Sequence, residues 1–154
     1  GHPSIACTCP PRTVERYLAK ISGPLLDRMD LHIEVPPVNF EELTDGKKAE
    51  ASAEIRKRVN AARQRQVERY AGQSYTCNAD VPAALLRELC QVTPEADRLF
   101  KRAFDKFGFS ARSYNRVLKV ARTIADLEES DMVEAPHAAE AVQYRSLDRK
   151  YWAQ

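Results

Sequence analysis

The sequence predicts a mainly α-helical chain with one short strand near its start. Three observations carry this. Beyond residue 49 the apolar residues recur at i, i+3, i+4 and i+7, the spacing of one helix face. Thr93 before Pro94, Gly108 and Ser110 punctuate that region as helix starts and stops. Alternation of apolar and polar residues marks a strand once, at Leu31–Val35, and Pro36-Pro37 ends it.

A length of 154 residues fits one ordinary domain or two small ones. With 44% hydrophobic and 30% charged residues a core can form, which excludes a chain disordered by composition. A net charge of +2 neither calls for nor excludes nucleic acid, so any basic surface must be local. No apolar run is long enough for a membrane span and no secretory signal pattern occurs. The four cysteines are unevenly spaced and do not make a secreted disulfide framework, so the expected compartment is the cytoplasm. The opening Gly1-His2-Pro3 has no initiator Met, and the chain is expected to be part of a longer one.

Gly1–Pro11 reads as loop. Its chemical signal is Cys7-Thr8-Cys9, a pair that can give two thiolates to zinc; zinc needs about four ligands, and His2 is a further candidate. Two plain loop cysteines is the alternative. Thr13 caps a helix to Lys20, with Val14, Tyr17, Leu18 and Ile21 expected to face the core. Ser22-Gly23-Pro24 breaks it, and Leu25–Met29 makes a short helical turn through Asp27-Arg28. Arg28 thus lies between a short helix and the strand, in a position where loops carry function. On the residues alone, pairing of Arg28 with Asp27, Asp30 or Glu34 is the favoured reading. His32, opposite Leu31 and Ile33 in the alternation, is expected to face solvent or a neighbour as a plain surface histidine. Pro36–Lys48 is a connector with one helical turn at Phe40–Leu43, and a domain boundary falls there.

Ala49–Tyr70 is a long helix stopped at Gly72, with a thin apolar stripe of Ile55, Val59, Ala62 and Tyr70 that Gln66 interrupts. Arg56, Lys57, Arg58, Arg63, Arg65 and Arg69 surround the stripe. They read either as a solvated face supported by pairs such as Glu54–Arg58 or as a surface for phosphates. Ala71–Ala79 is a loop with Cys77 as a lone thiol. Asp80 caps a short helix through Cys90, and Cys90 shares the apolar face of Leu85, Leu86 and Leu89 as a core thiol. From Thr93-Pro94 to Phe107, the residues Ala96, Leu99, Phe100, Ala103, Phe104 and Phe107 form a core stripe rather than a base-stacking platform.

Ser110 caps the helix Ala111–Glu128. At about 100° per residue, Tyr114, Val117, Leu118, Ala121, Ile124 and Ala125 share one side, and Arg112, Arg116 and Lys119 share the other with Thr123. A cation in a first turn opposes the helix dipole, which points to a partner anion; a solvated face is the alternative. An acidic turn, Glu128–Ala135, precedes a last helix from Pro136 to Arg145, with Ala138, Ala141 and Val142 inward and His137 structural.

Three blocks, SGPLLDRMDLHIEVP, SARSYNRVLKVARTIADLE and HAAEAVQYRSLDR, give this chain a resemblance from Cys7 to Arg149. It resembles the magnesium-chelatase-like AAA+ ATPases of the ComM (YifB) type. The resemblance implies the C-terminal end of an AAA+ αβ core over 1–37, contributing a helix plus one strand. A connector over 38–48 and a helical lid bundle over 49–154 would follow. It implies that Arg28 is an arginine finger reaching a neighbouring subunit's nucleotide, and that Arg112 is the sensor-2 arginine at the γ-phosphate. Arg116, Lys119 and Arg122 have weaker claims. It implies ATP and Mg²⁺ in the full-length protein, an upstream core of the same protein as partner, a ring, usually a hexamer, and DNA as the substrate of branch migration. Family members carry a CPCG-type segment before a pair like Cys7 and Cys9, which would complete a four-cysteine set. The porphyrin chemistry of magnesium chelatase itself is not implied, because the match is to the ComM branch.

ATP hydrolysis by a P-loop enzyme needs a GxxxxGK[ST] loop and an acidic residue for Mg²⁺. The sequence has no such loop and no strand ending in paired acids, so this stretch alone is expected to be inactive. Two rivals remain. One is a stand-alone helical nucleic-acid-binding module using Arg56, Arg63, Arg65 and the Arg112–Lys119 stripe. The other is an assembly domain with no ligand of its own. No residue is assigned to DNA. Apolar surface left uncovered would favour self-association.

Overall fold

The computed structural model describes residues 6–38, 40, 44, 46 and 49–145. Two short helices open it, α1 (Pro11–Leu18) and α2 (Gly23–Leu26). The long α3 (Ser52–Arg69) follows, then a 3₁₀ turn at Asn78–Asp80, α4 (Leu86–Leu89), α5 (Pro94–Phe107), α6 (Ala111–Leu127) and α7 (Ala135–Gln143). The core forms where α6 meets α3 and α7, and where α5 packs on α7. No helix among the described residues is long and apolar enough to cross a membrane.

α6 is central because its apolar side is complete. Val117, Leu118, Ala121 and Ala125 are buried, and full burial of a residue such as Leu118 is worth about 1.5–3 kcal/mol. Its ends follow from the sequence. The Ser110 hydroxyl accepts the Ser113 N–H at 3.1 Å, the expected cap. At the other end the Ser130 N–H reaches the Ala125 carbonyl at 2.8 Å and the Glu129 N–H reaches Asp126 at 3.2 Å. This closure places Glu129 in the left-handed region at φ 58°, where glycine is usual. α5 runs as expected from the Thr93 cap to Gly108, whose φ of 62° is the left-handed stop. Ala96, Phe100 and Ala103 are buried, but Phe104 is 40% exposed and touches Tyr114 only edge-on, with ring centroids 6.2 Å apart.

α7 starts at Ala135, and His137 is structural, as its place near a helix start suggested. Its Nδ1 accepts the Glu134 N–H at 2.9 Å, so the ring proton is on Nε2, which donates to Glu128 at 2.9 Å. The loops before α5 and α7 are joined by one parallel bridge, Val92 to Val133. Cys90 is fully buried, and burial pushes its thiol up to about 11, so it is a core residue and inert.

Several expectations are corrected. Leu31–Val35 forms no strand among the described residues. A strand needs a neighbour for its ladder, and among the described residues a backbone bond here runs from the His32 N–H to the Tyr144 carbonyl at 2.9 Å, in a helix end rather than a strand. His32 is half-buried rather than solvent-facing. α1 begins at Pro11 with Pro10 as its cap, and it buries none of its residues; Val14, Tyr17 and Ile21, expected in the core, are exposed. The helix expected from Asp80 to Cys90 is split, because Pro82 biases Val81 to extended backbone, here φ −59°, ψ 125°. Of the helical turn expected at Phe40–Leu43, Phe40 is helical and 41–43 lie outside the described residues, as does the ligand candidate His2.

Candidate functional site

α2 is a single turn. The Ser22 hydroxyl accepts the Leu25 N–H at 3.3 Å, Pro24 presets the first turn, and Leu26 is buried. Backbone N–H groups of Asp27, Arg28 and Met29 close its carbonyls. A buried guanidinium adds to them: Arg145, just past α7, donates to the Leu26 carbonyl at 3.3 Å and to the Met29 carbonyl. Asp27, in the same turn, is gripped from two sides. Its carboxylate accepts the Ser113 hydroxyl at 2.7 Å and the Ser110 hydroxyl at 3.1 Å from the first turn of α6, and lies 3.4 Å from Arg145. These partners hold its carboxyl below the usual range; the Ser113 hydrogen bond is the largest cause, opposed by burial and aided by Ser110, Arg145 and Arg112.

With Asp27 engaged, Arg28 is left outward. Its side chain is exposed, donates to the Pro24 carbonyl at 3.0 Å, and has no carboxylate partner among the described residues. Pairing with Asp27 or Asp30, favoured on residues alone, is not what the structure has: Asp27 belongs to Ser113, Ser110 and Arg145, and Asp30 belongs to Arg116 at 2.5 Å. Arg112 is exposed and makes no hydrogen bond or ion pair among the described residues.

A groove of about 720 Å³ runs beside α6. Arg112, Arg116 and Lys119 stand along one wall, Val120 and Ile124 give it an apolar lining, and Asp30, Leu31 and Tyr144 complete it. The three cations expected on one side of α6 are thus together. They differ in freedom: Arg116 is tied to Asp30, and Lys119 donates to the Ala79 carbonyl at 2.6 Å. Arg122 is not with them. It is buried, pairs with Asp126 at 3.0 Å and donates to the Asp131 carbonyl at 2.7 Å, so the contact with a phosphate that its position suggested is ruled out by burial.

On α3, Arg65 is taken by Asp131, Arg69 by Asp126 and Arg58 by Glu50, while Arg56, Lys57 and Arg63 are exposed and make no ion pair among the described residues. Cys7 and Cys9 are exposed free thiols two residues apart. The Cys9 backbone N–H, then its thiol, lowers the Cys7 pKa, and the same thiol contact raises that of Cys9. No group of three or more His, Cys, Asp or Glu side chains that could hold a metal occurs among the described residues. The pair by itself supplies two of the four ligands that a zinc site needs.

Sequence reasoning missed Asp27 and Arg145 as site residues. The signal was present for Arg145: Ala138, Ala141, Val142 and Arg145 fall at i, i+3, i+4 and i+7, which places the arginine on the buried stripe.

Comparison with known proteins places this geometry. Residues 49–145 match the family model described as magnesium chelatase, subunit ChlI C-terminal, and residues 1–43 match that of magnesium chelatase, subunit ChlI. The chain is 40% identical over 140 residues to competence protein ComM of Haemophilus influenzae, covering 90% of this chain and 27% of that protein. It is 39% identical over 145 residues to the uncharacterized protein YifB of Escherichia coli, covering 92% and 27%. An uncharacterized protein of Mycobacterium tuberculosis is 33% identical over 141 residues, covering 90% and 27%. The chain therefore spans about a quarter of the length of the curated relatives it matches. With a family model matched across more than half its length, this chain belongs to the magnesium chelatase ChlI family, and residues 49–145 are its C-terminal region.

Proposed function

We propose that this chain is the C-terminal part of a ring-forming, cytoplasmic AAA+ ATPase that acts on DNA. In this reading residues 1–37 end the nucleotide-binding core, 38–48 connect, and 49–154 are the lid. Arg28 reaches the nucleotide of the next subunit as an arginine finger, and Arg112 contacts the nucleotide from the lid. The observation that carries it is the sorting of the arginines. Arg69, Arg116, Arg122 and Arg145 are all paired with carboxylates, whereas among the described residues Arg28 and Arg112, like Arg56 and Arg63 on α3, are exposed without one. A cation with no carboxylate partner among the described residues, as Arg28 and, in a helix first turn, Arg112 are, is suited to an external anion. ATP and Mg²⁺ bound by an upstream core would supply the reacting phosphate; an arginine offered in trans contributes on the order of 10³–10⁵ in rate in the systems where it is known. Relatives include a competence protein, which supports DNA as the substrate. A hexamer is the ring size expected for such an assembly.

The test is DNA-stimulated ATP hydrolysis by the full-length protein carrying Arg28→Ala or Arg112→Ala. Both are expected to abolish turnover while folding survives; Arg28→Ala keeps its ATP affinity, and Arg112→Ala weakens it. Mixing Arg28→Ala subunits with subunits lacking the P-loop lysine should restore part of the activity, since each supplies what the other lacks. Unchanged turnover in both single variants would sink the site assignment.

A second reading has one observation in its favour: Arg56, Lys57 and Arg63 are exposed on α3 and make no ion pair among the described residues. As a stand-alone nucleic-acid-binding module, this chain alone would bind DNA with a steep salt dependence.

A further inference from the structure

The α2 turn and the first turn of α6 meet at one half-buried point. Asp27, the residue before Arg28, accepts hydroxyls from Ser110 and Ser113, and Arg112 lies between those two serines in sequence. Arg145, 2% exposed, reaches the same carboxylate, the Ser113 hydroxyl at 3.4 Å and two carbonyls of the α2 turn. Segments far apart in the chain, separated by 86 residues for Asp27 to Ser113 and 118 for Asp27 to Arg145, are thereby fixed to one another. The α2 turn is short, and α1 before it buries none of its residues. Arg28 is held within the turn by its bond to the Pro24 carbonyl, and the cluster fixes that turn to α6 and to the end of α7.

We propose that Asp27, Ser113 and Arg145 form a latch that positions Arg28 and ties it to Arg112. The arginine offered to a neighbouring subunit and the arginine that reads this subunit's own nucleotide then move as one piece. This rests on the reading of Arg28 and Arg112 given above. Asp27 and Arg145 touch neither nucleotide; they are positioning residues. Their effect is on geometry at the reacting phosphate, where a displacement of about 1 Å can cost about 100-fold in rate.

The experiment uses the full-length protein with Asp27→Asn, Ser113→Ala and Arg145→Lys, each alone and combined with Arg28→Ala. kcat, KM, nucleotide affinity and thermal midpoint are measured for every variant. Ser113→Ala removes one hydroxyl and keeps a folded variant available should the others destabilise the protein. The expected result is a fall in kcat of about 10- to 100-fold at nearly unchanged nucleotide affinity. Adding Arg28→Ala should cause no loss beyond that of Arg28→Ala alone, because the latch acts through that arginine. Hydrogen exchange in the α2 turn should quicken at least tenfold in Asp27→Asn. If Arg28→Ala cripples turnover but the latch variants lower only the thermal midpoint, the cluster is structural and the inference falls while the ATPase reading stands. If the losses add to that of Arg28→Ala, the cluster acts by another route and the inference falls. If Arg28→Ala leaves kcat unchanged, the underlying reading fails first and takes the latch with it.

Discussion

Arg122 Nη2 lies 3.0 Å from Asp126 Oδ1, and both side chains are almost wholly buried. They stand at i and i+4 on α6, on the side that otherwise packs Leu118, Ala121 and Ala125. Asp126 also accepts Arg69 and, at 2.8 Å, the Asn78 side chain, so one carboxylate joins α6 to α3 and to the 3₁₀ turn. Burial pushes Asp126 toward protonation, but the hydrogen bonds from Arg69 and Asn78 and the charge of Arg122 outweigh it, and its pKa is lowered.

That arrangement predicts an asymmetry. Asp126→Ala strands two guanidinium groups, one buried and one partly so, and should cost about 3–5 kcal/mol. Arg122→Met leaves Asp126 with Arg69 and Asn78 and should cost clearly less. Urea unfolding of the two variants checks the order; equal losses would mean that the pair, not the carboxylate hub, is the unit that matters.

Asp27 and Asp126 both have lowered pKa values in the folded state. A lowered carboxylate contributes stability that is present above its unfolded pKa, about 3.9, and is lost as pH falls through the folded value. Thermal midpoints should therefore change little on account of these groups between about pH 5 and 7, and drop below about pH 4. Asp27→Asn keeps an acceptor for the two serines but removes the titration, so its acid slope should be shallower than that of the unmodified protein. Identical slopes would show that Asp27 is not held ionised.

Glu129 closes α6 at φ 58° without being glycine, and its side chain is exposed. A left-handed conformation costs an L-residue roughly 1–2 kcal/mol, and glycine gives back part of that through unfolded-state entropy. Glu129→Gly should therefore stabilise the fold by about 0.5–1 kcal/mol. A raised denaturation midpoint with unchanged m-value would support this.

These positions also mark where the sequence was readable. α5, α6 and α7 were legible because caps, stops and apolar spacing agree locally: Thr93 with Gly108, Ser110 with the Tyr114–Ala125 face. The buried arginines were not read correctly. Arg122 and Arg145 fall in the apolar register, and a charge there signals a buried partner, but which carboxylate answers it depends on contacts that spacing does not contain. The strand at Leu31–Val35 failed for a related reason. Alternation states which face a strand would show, whereas a ladder requires a neighbour that sequence periodicity cannot supply. The apolar face of α1 likewise finds no cover, and Tyr17 stays 69% exposed.

Arg112 and Arg116 line the same groove wall, but only Arg116 is held by a carboxylate, Asp30. If the groove takes the phosphates of a nucleotide, Arg112 should carry the larger share of the contact. A charge-assisted hydrogen bond is worth about 1.5–3 kcal/mol, or about 10- to 100-fold in affinity. Arg112→Ala should weaken nucleotide binding by about that factor in the full-length protein, and Arg116→Ala by less than about threefold. Asp30→Ala releases Arg116, and in the Arg112→Ala background it should recover part of the lost affinity, since the freed guanidinium lies on the same wall. Fluorescence titration with a labelled ATP analogue at two salt concentrations measures all four variants. Equal losses from Arg112→Ala and Arg116→Ala would show that the Asp30 pair opens on binding and that the groove uses both cations alike. No loss from either would place the nucleotide elsewhere and leave this groove to another ligand.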